Sequence, residues 1–111
     1  MDARLPTRLP THLEVAGWRR AVEAAGGFAA VLQRGEADAG SVLLLTIERG
    51  ANPTLWERMP QLDGSRAFTP VTVQDIDFAE YLERRKRQDG DLWIVELDIA
   101  NPERFVDLQP G

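Results

Sequence analysis

Leu92-Trp93-Ile94-Val95-Glu96-Leu97-Asp98-Ile99, entered through the turn Asp89-Gly90-Asp91, is the stretch that decides the fold. Side chains alternate across a β-strand, so Trp93, Val95, Leu97 and Ile99 fall on one face and Leu92, Ile94, Glu96 and Asp98 on the other. The first face is wholly apolar and needs a cover. The second begins apolar and ends acidic, which predicts cover at its start and an opening toward solvent, a partner or a ligand at its end. Such a strand belongs in the middle of a sheet.

Upstream of it, Asp75 to Gln88 reads as a helix that starts at Thr72 or Gln74. Ile76, Phe78, Ala79 and Leu82 face inward, and Asp75, Asp77 and Glu80 sit in its first turns, where the helix dipole favours acids. Another helix is predicted from Thr11, because Thr11-His12-Leu13-Glu14 has capping-box spacing and Val15, Trp18, Val22 and Ala25 recur at helical intervals. Gly26-Gly27 ends it. Phe28 to Arg34 and Ser41 to Arg49 read as strands joined as a hairpin by Gly35 to Gly40, and Val42 to Leu45 are apolar on both faces, as in a doubly covered strand. Gly50-Ala51-Asn52-Pro53 is a turn, and Thr54 to Met59 a more polar strand suited to a sheet edge. Gln61 to Val71 is either a hairpin return through Arg66 to Thr69 or an irregular loop. Asn101-Pro102 closes the last strand, and Glu103 to Gly111 is a tail tied down where Phe105 and Leu108 pack.

The order α-β-β-β-(β)-α-β specifies an α/β or α+β fold: a small mixed sheet of four to five strands with two amphipathic helices. Strands apolar on both faces need two covers, so one helix on each face, a three-layer αβα arrangement, is favoured over a sheet that leaves one face to a dimer partner. The 111 residues are the size of one domain, residues 1–111. With 43% hydrophobic and 28% charged residues, the composition is that of an ordinary globular protein. No apolar run is long enough to span a membrane, and Met1 to Pro6 lacks a signal-peptide core, so a cytoplasmic location is expected. Zero cysteines exclude disulfides and thiol chemistry, and a net charge of −5 argues against nonspecific binding to nucleic acid. The run Arg84-Arg85-Lys86-Arg87 spreads around a helix end, which reads as a solvated, dipole-matched terminus rather than an anion or RNA contact.

Several of these pieces recur together. Arg19-Arg20, Gly26-Gly27-Phe28-Ala29, Arg34-Gly35 followed by Asp38-Ala39-Gly40, and Asp89-x-Asp91-Leu92-Trp93-x-Val95-Glu96 occur here in an order and spacing that resembles an alphaproteobacterial family, the domain of unknown function 1491. The similarity runs over nearly the whole chain. It implies a bacterial, single-domain, cytosolic protein and brings no catalytic residue, cofactor or partner with it.

The chemistry-bearing residues are sparse. His12, the only histidine, falls in the first helical turn and reads as a surface residue; with no cysteine, a zinc site is poorly supported. Glu96 and Asp98 share a strand face about 7 Å apart and can serve as oxygen ligands or an acid–base pair, whereas Asp89 and Asp91 lie some 20 Å away at the strand's other end. Turn chemistry and salt bridges to Arg19, Arg20 or Arg34 are the alternative role for these carboxylates. Gly35, Gly40 and Gly26-Gly27 lack phosphate-loop and dinucleotide spacing, so no cofactor is called for. Trp56, on the expected edge strand with Met59, marks a contact surface. The leading functional expectation is therefore a non-enzymatic protein–protein interaction module, a homodimer in one form, touching through Trp56 and Met59. The alternative is a small-molecule- or metal-dependent enzyme using Glu96 and Asp98.

Overall fold

The computed structural model of the protein describes residues 10–38, 40–58, 68–71 and 77–106. Its elements are α1 (Thr11–Ala24), β1 (Phe28–Gln33), β2 (Val42–Glu48), β3 (Ala51–Arg58), β4 (Phe68–Val71), α2 (Phe78–Gln88), β5 (Trp93–Asp98) and a short α3 (Glu103–Val106). The strands form one mixed sheet in the order β1-β5-β2-β3-β4, with β5 parallel to β2 and every other pair antiparallel. The alternation read from the sequence sorts the core. Trp93, Val95, Leu97 and Ile99 join Val42 and Leu44 beneath α1 and α3, while Leu92 and Ile94 join Leu43, Leu45 and Leu55 beneath Leu82 of α2. Three layers result, with a helix on each face.

Four local expectations are overturned. The strands at Phe28 and Ser41 are not a hairpin, because β5 lies between them. Burial explains the order: β2 and β5 are apolar on both faces and take the covered interior, whereas β1 tolerates the rim. β3 is likewise no edge. It pairs with β2 and with β4, so the return through Phe68-Thr69 forms and β4 becomes the rim. The turn falls at Arg49-Gly50, both at positive φ (53° and 80°), and β3 begins at Ala51. Finally, α2 begins at Phe78 behind Asp77, whose carboxylate accepts from the Glu80 amide at 2.7 Å. The expected starts at Thr72, Gln74 and Asp75, with Ile76, lie outside the described residues, and Ala79 is exposed rather than inward-facing.

The capping box does not form either. Pro10, with no side-chain cap, is the N-cap of α1, and the amides of Thr11 and His12 donate to the carbonyls of Asp38 and Ala37 at 3.3 and 3.0 Å. A neighbouring loop thus takes the Thr11 amide that the Glu14 carboxylate was expected to meet, and the Glu14 amide donates to the Pro10 carbonyl at 3.2 Å rather than to the Thr11 hydroxyl. Glu14 turns into the core instead, where Arg58 of β3 holds it in a two-pronged ion pair at 2.7 and 2.8 Å, both side chains nearly solvent-free. The Arg58 guanidinium lies over the rings of Trp18 and Phe68, with centroids 5.5 and 5.3 Å away, and the two rings meet edge to face at 5.8 Å. Arginine suits this position because its planar, weakly hydrated cation can stack and fork at once.

The loop between β1 and β2 has a different logic. It crosses the entrance of β5, where Trp93 donates its indole N–H to the Glu36 carbonyl at 2.6 Å and Arg34 lies 5.4 Å above the indole ring. A Cβ on Gly40 would stand 2.7 Å from the Asp91 carbonyl oxygen and 2.8 Å from Trp93 Cδ1, and one on Gly35 would collide with the same Asp91 oxygen. Glycine at these positions, and the Asp91-Leu92-Trp93 run opposite them, are thus one packing unit.

Truncating Trp93 or Leu44 to Ala is expected to cost about 3–5 kcal/mol in chemical denaturation, since both side chains are fully buried; a loss under about 1 kcal/mol for Trp93→Ala would contradict its core position. Glu14→Leu strands the Arg58 cation and is expected to cost about 3–5 kcal/mol, whereas the double replacement Glu14→Leu with Arg58→Met costs less than the single one. A double variant less stable than Glu14→Leu would show that the pair is not the reason for the loss.

Candidate functional site

The open side of the sheet is strand β1. It ends the sheet order, so among the described residues no strand pairs with its outer edge. Its register with β5 sets Phe28 beside Asp98 and Ala30 beside Glu96, which places these four on the α2 side of the sheet. Leu32 lies in the bulge that shifts register between Val31 and Gln33, where the two-residue alternation is interrupted. The 11-residue α2 reaches Leu92 and Ile94 at the start of β5, and among the described residues its core cluster includes none from β1. Phe28 is 59% exposed and Leu32 36%, two of the three large exposed hydrophobic side chains among the described residues; the third is Leu13 on α1, at 44%.

Glu96 and Asp98 sit where the face opens, both half-buried. They do not pair with Arg19, Arg20 or Arg34 as the salt-bridge reading expected: Asp98 Oδ1 accepts the Arg49 backbone amide at 2.7 Å, and Arg34 stacks on Trp93. At the other end of β5, Asp89 takes the Asp91 amide at 3.0 Å, as turn chemistry predicts. Among the described residues no three His, Asp or Glu side chains converge as metal ligands would.

Beyond Asp98 the ends of several elements surround a cleft of about 410 Å³. The last turn of α1 and its exit (Ala25 to Gly27), Phe28, Arg49, Arg104 and the end of β5 (Asp98 to Ala100) form its walls.

Trp56 does not stand on an edge. Its ring is half-buried against the core cluster under α1, with Leu44 and Pro70 as strand neighbours, and its Nε1–H donates to Thr46 Oγ1 at 2.9 Å. Met59 lies outside the described residues, as does Leu108, although Phe105 and Val106 are buried at the start of the expected tail. His12 is half-buried rather than on the surface, and its Nδ1, 3.0 Å from the Ala37 carbonyl, donates there in the tautomer that carries the proton on that nitrogen. In the basic run, Arg84 and Arg87 are exposed, Lys86 meets Glu83 at 3.0 Å, and Arg85 bridges Glu57 at 2.8 Å and the Tyr81 hydroxyl at 3.0 Å. The Glu57 hydrogen bond raises the Arg85 pKa above its ordinary value, outweighing burial. Arg85 therefore acts as a tether of α2 to β3.

Sequence reasoning missed Phe28, Leu32, Arg49 and Arg104. Phe28 to Arg34 reads only as one strand of a hairpin, and the one signal of a rim was the pair Ala29-Ala30, which gives a covering helix little to grip.

Comparison with known proteins agrees with this architecture. A family model described as "Protein of unknown function (DUF1491)" matches residues 9–107. No curated protein matches the chain. A crystal structure of a DUF1491 family protein from Caulobacter crescentus CB15 is 31% identical, with a TM-score of 0.78 over 92% of this chain and 97% of that one. An NMR structure of a DUF1491 family protein from the same organism gives 32% identity and a TM-score of 0.77, covering 95% and 97%. The solution structure of protein Atu0922 from A. tumefaciens is 32% identical, with a TM-score of 0.73 and coverage of 94% and 98%. Among the described residues no helix is long and apolar enough to cross a membrane. On the family model and these structures together, the chain belongs to the DUF1491 family.

Proposed function

We propose that this protein is a non-enzymatic interaction module that joins a second copy of itself through the outer edge of β1. The observation that carries the reading is the exposure of Phe28 and Leu32 on a strand that has no neighbour on one side. An open edge offers unpaired backbone donors and acceptors, and natural sheets commonly blunt it with charge or proline. Phe28 to Gln33 contains neither. The strand is also self-complementary. Antiparallel pairing with Ala30 on a twofold axis sets Phe28 of one copy against Leu32 of the other and Ala29 against Val31, so each apolar residue meets another. Two sheets would then continue as one, and the bare side of β1 would be covered from both directions. Glu96 and Asp98, one strand further in, give this patch an acidic flank.

Analytical ultracentrifugation across a hundredfold concentration range is expected to show a monomer–dimer equilibrium. Leu32→Lys is expected to weaken it at least about tenfold, an effect equivalent to about 1.4 kcal/mol, while Trp56→Phe leaves it unchanged. A strict monomer at every concentration, or a dimer indifferent to Leu32→Lys, would overturn the proposal.

A further inference from the structure

The cleft beyond Asp98 carries an inference that goes past the interaction module: it shares Phe28 with the proposed β1 contact, but its two arginines lie outside that contact. We infer that it binds a small organic anion, a phosphate or carboxylate attached to a flat apolar group, with Arg49 and Arg104 gripping the charge and Phe28 walling the apolar part.

The volume of about 410 Å³ lies within the range of small-molecule sites. Its charged lining is two arginines against one carboxylate, and that carboxylate is already engaged, since Asp98 Oδ1 accepts the Arg49 amide. The nearby Glu48 carboxylate is occupied likewise, accepting the Asn101 amide at 2.9 Å. Both acids hold loop backbones in place and keep their charge, so the attraction for an anion comes from close contact with the two guanidinium groups rather than from a net positive lining. The C-terminus of α1 would by itself repel negative charge. Its last carbonyls, however, are covered by the amides of Ala25, Gly26 and Gly27, which donate to Ala21, Glu23 and Val22 at 3.2, 3.1 and 2.9 Å.

The placement of Arg49 is the most informative detail. It fills the first central position of the two-residue β2–β3 turn at φ 53°, where Asn, Asp or Gly is the favoured residue. An arginine there carries a conformational cost, and the residue lines the cleft. Arg104, in turn, is steadied by its own surroundings: Nη2 donates to the Ala100 carbonyl at 3.4 Å, and the guanidinium lies 4.6 Å from the Phe105 ring centroid. A guanidinium held in this way loses little freedom when it forks onto a phosphate or carboxylate. The exposed Phe28 ring supplies the flat apolar wall, a role in which aromatic side chains bury much area at small entropic cost.

The test is titration of the intact protein with phenyl phosphate, benzoate and inorganic phosphate, followed by backbone amide chemical shifts. The expected result is saturable shifts centred on Gly26, Gly27, Arg49 and Ala100 with phenyl phosphate or benzoate, and weaker binding of inorganic phosphate. Whichever organic probe binds more tightly identifies the anionic group. Arg49→Gln, at an exposed turn position, is expected to weaken binding roughly tenfold, as loss of one charge-assisted contact should. Arg87→Gln, on an element that does not line the cleft, is expected to leave it unchanged. Shifts scattered over the surface, equal binding of all three anions, or equal losses in the two variants would each overturn the assignment. Because Arg49 lies outside the proposed β1 contact, its variant separates failure of the cleft from failure of the dimer.

Discussion

The parallel pairing of β5 with β2 is the constraint on which the rest of the structure depends. Both strands are apolar on both faces, and in register they set Val42 beside Trp93 and Leu44 beside Val95 on one side and Leu43 beside Ile94 on the other. A double-faced apolar band of this kind requires a cover above and below. The chain supplies α1 with α3 on one side and α2 on the other. Everything else follows from what those covers reach: the side under α1 is closed from Ala29 to Val106, whereas the side under α2 is closed only over β2, β3 and the start of β5. The bare strip along β1 is the remainder.

Polar groups fix how the covers sit. The buried Glu14–Arg58 pair sets where α1 crosses the sheet, because an ion pair out of water must keep its geometry or lose heavily. The Arg85–Glu57 bridge does the same for α2, more weakly, since both groups are part-exposed. Both bridges end on β3, at Arg58 and Glu57, which face opposite sides of the sheet. One strand thus ties down both helices, and this explains why β3 is flanked on each side rather than left at the rim. The β1–β2 loop completes the arrangement by closing over Trp93.

How much of this was legible in the sequence depended on whether the decisive contact was local. The alternation of Leu92 to Ile99 is local and gave its two faces, the covered start and the acidic opening. The helix end marked by Gly26-Gly27 and the close of the last strand before Asn101-Pro102 were also legible. Strand order was not, because an apolar β1 and an apolar β2 joined by a glycine-bounded loop look like a hairpin until β5 competes for the same edge. Glu14 had the spacing of a capping residue, yet an unpaired cation 44 positions later outcompeted the helix end. Trp56 was read as a contact residue because its polar strand looked like an edge, but the charges of Glu57 and Arg58 on that strand are engaged by the helices and β4 lies outside it. The open face followed the same rule: the spacing of Glu96 and Asp98 set them on one strand face, whereas the exposure of Phe28 and Leu32 depends on a strand order that the local sequence does not carry.

The central claim, that β1 is an interface in waiting, is tested most directly by amide hydrogen exchange along Phe28 to Leu32 at low and high protein concentration. The account predicts that the outward-pointing amides of this strand exchange rapidly when dilute and become protected as concentration rises, while those of β2 are protected throughout. Rapid exchange of the β1 amides at every concentration would contradict it.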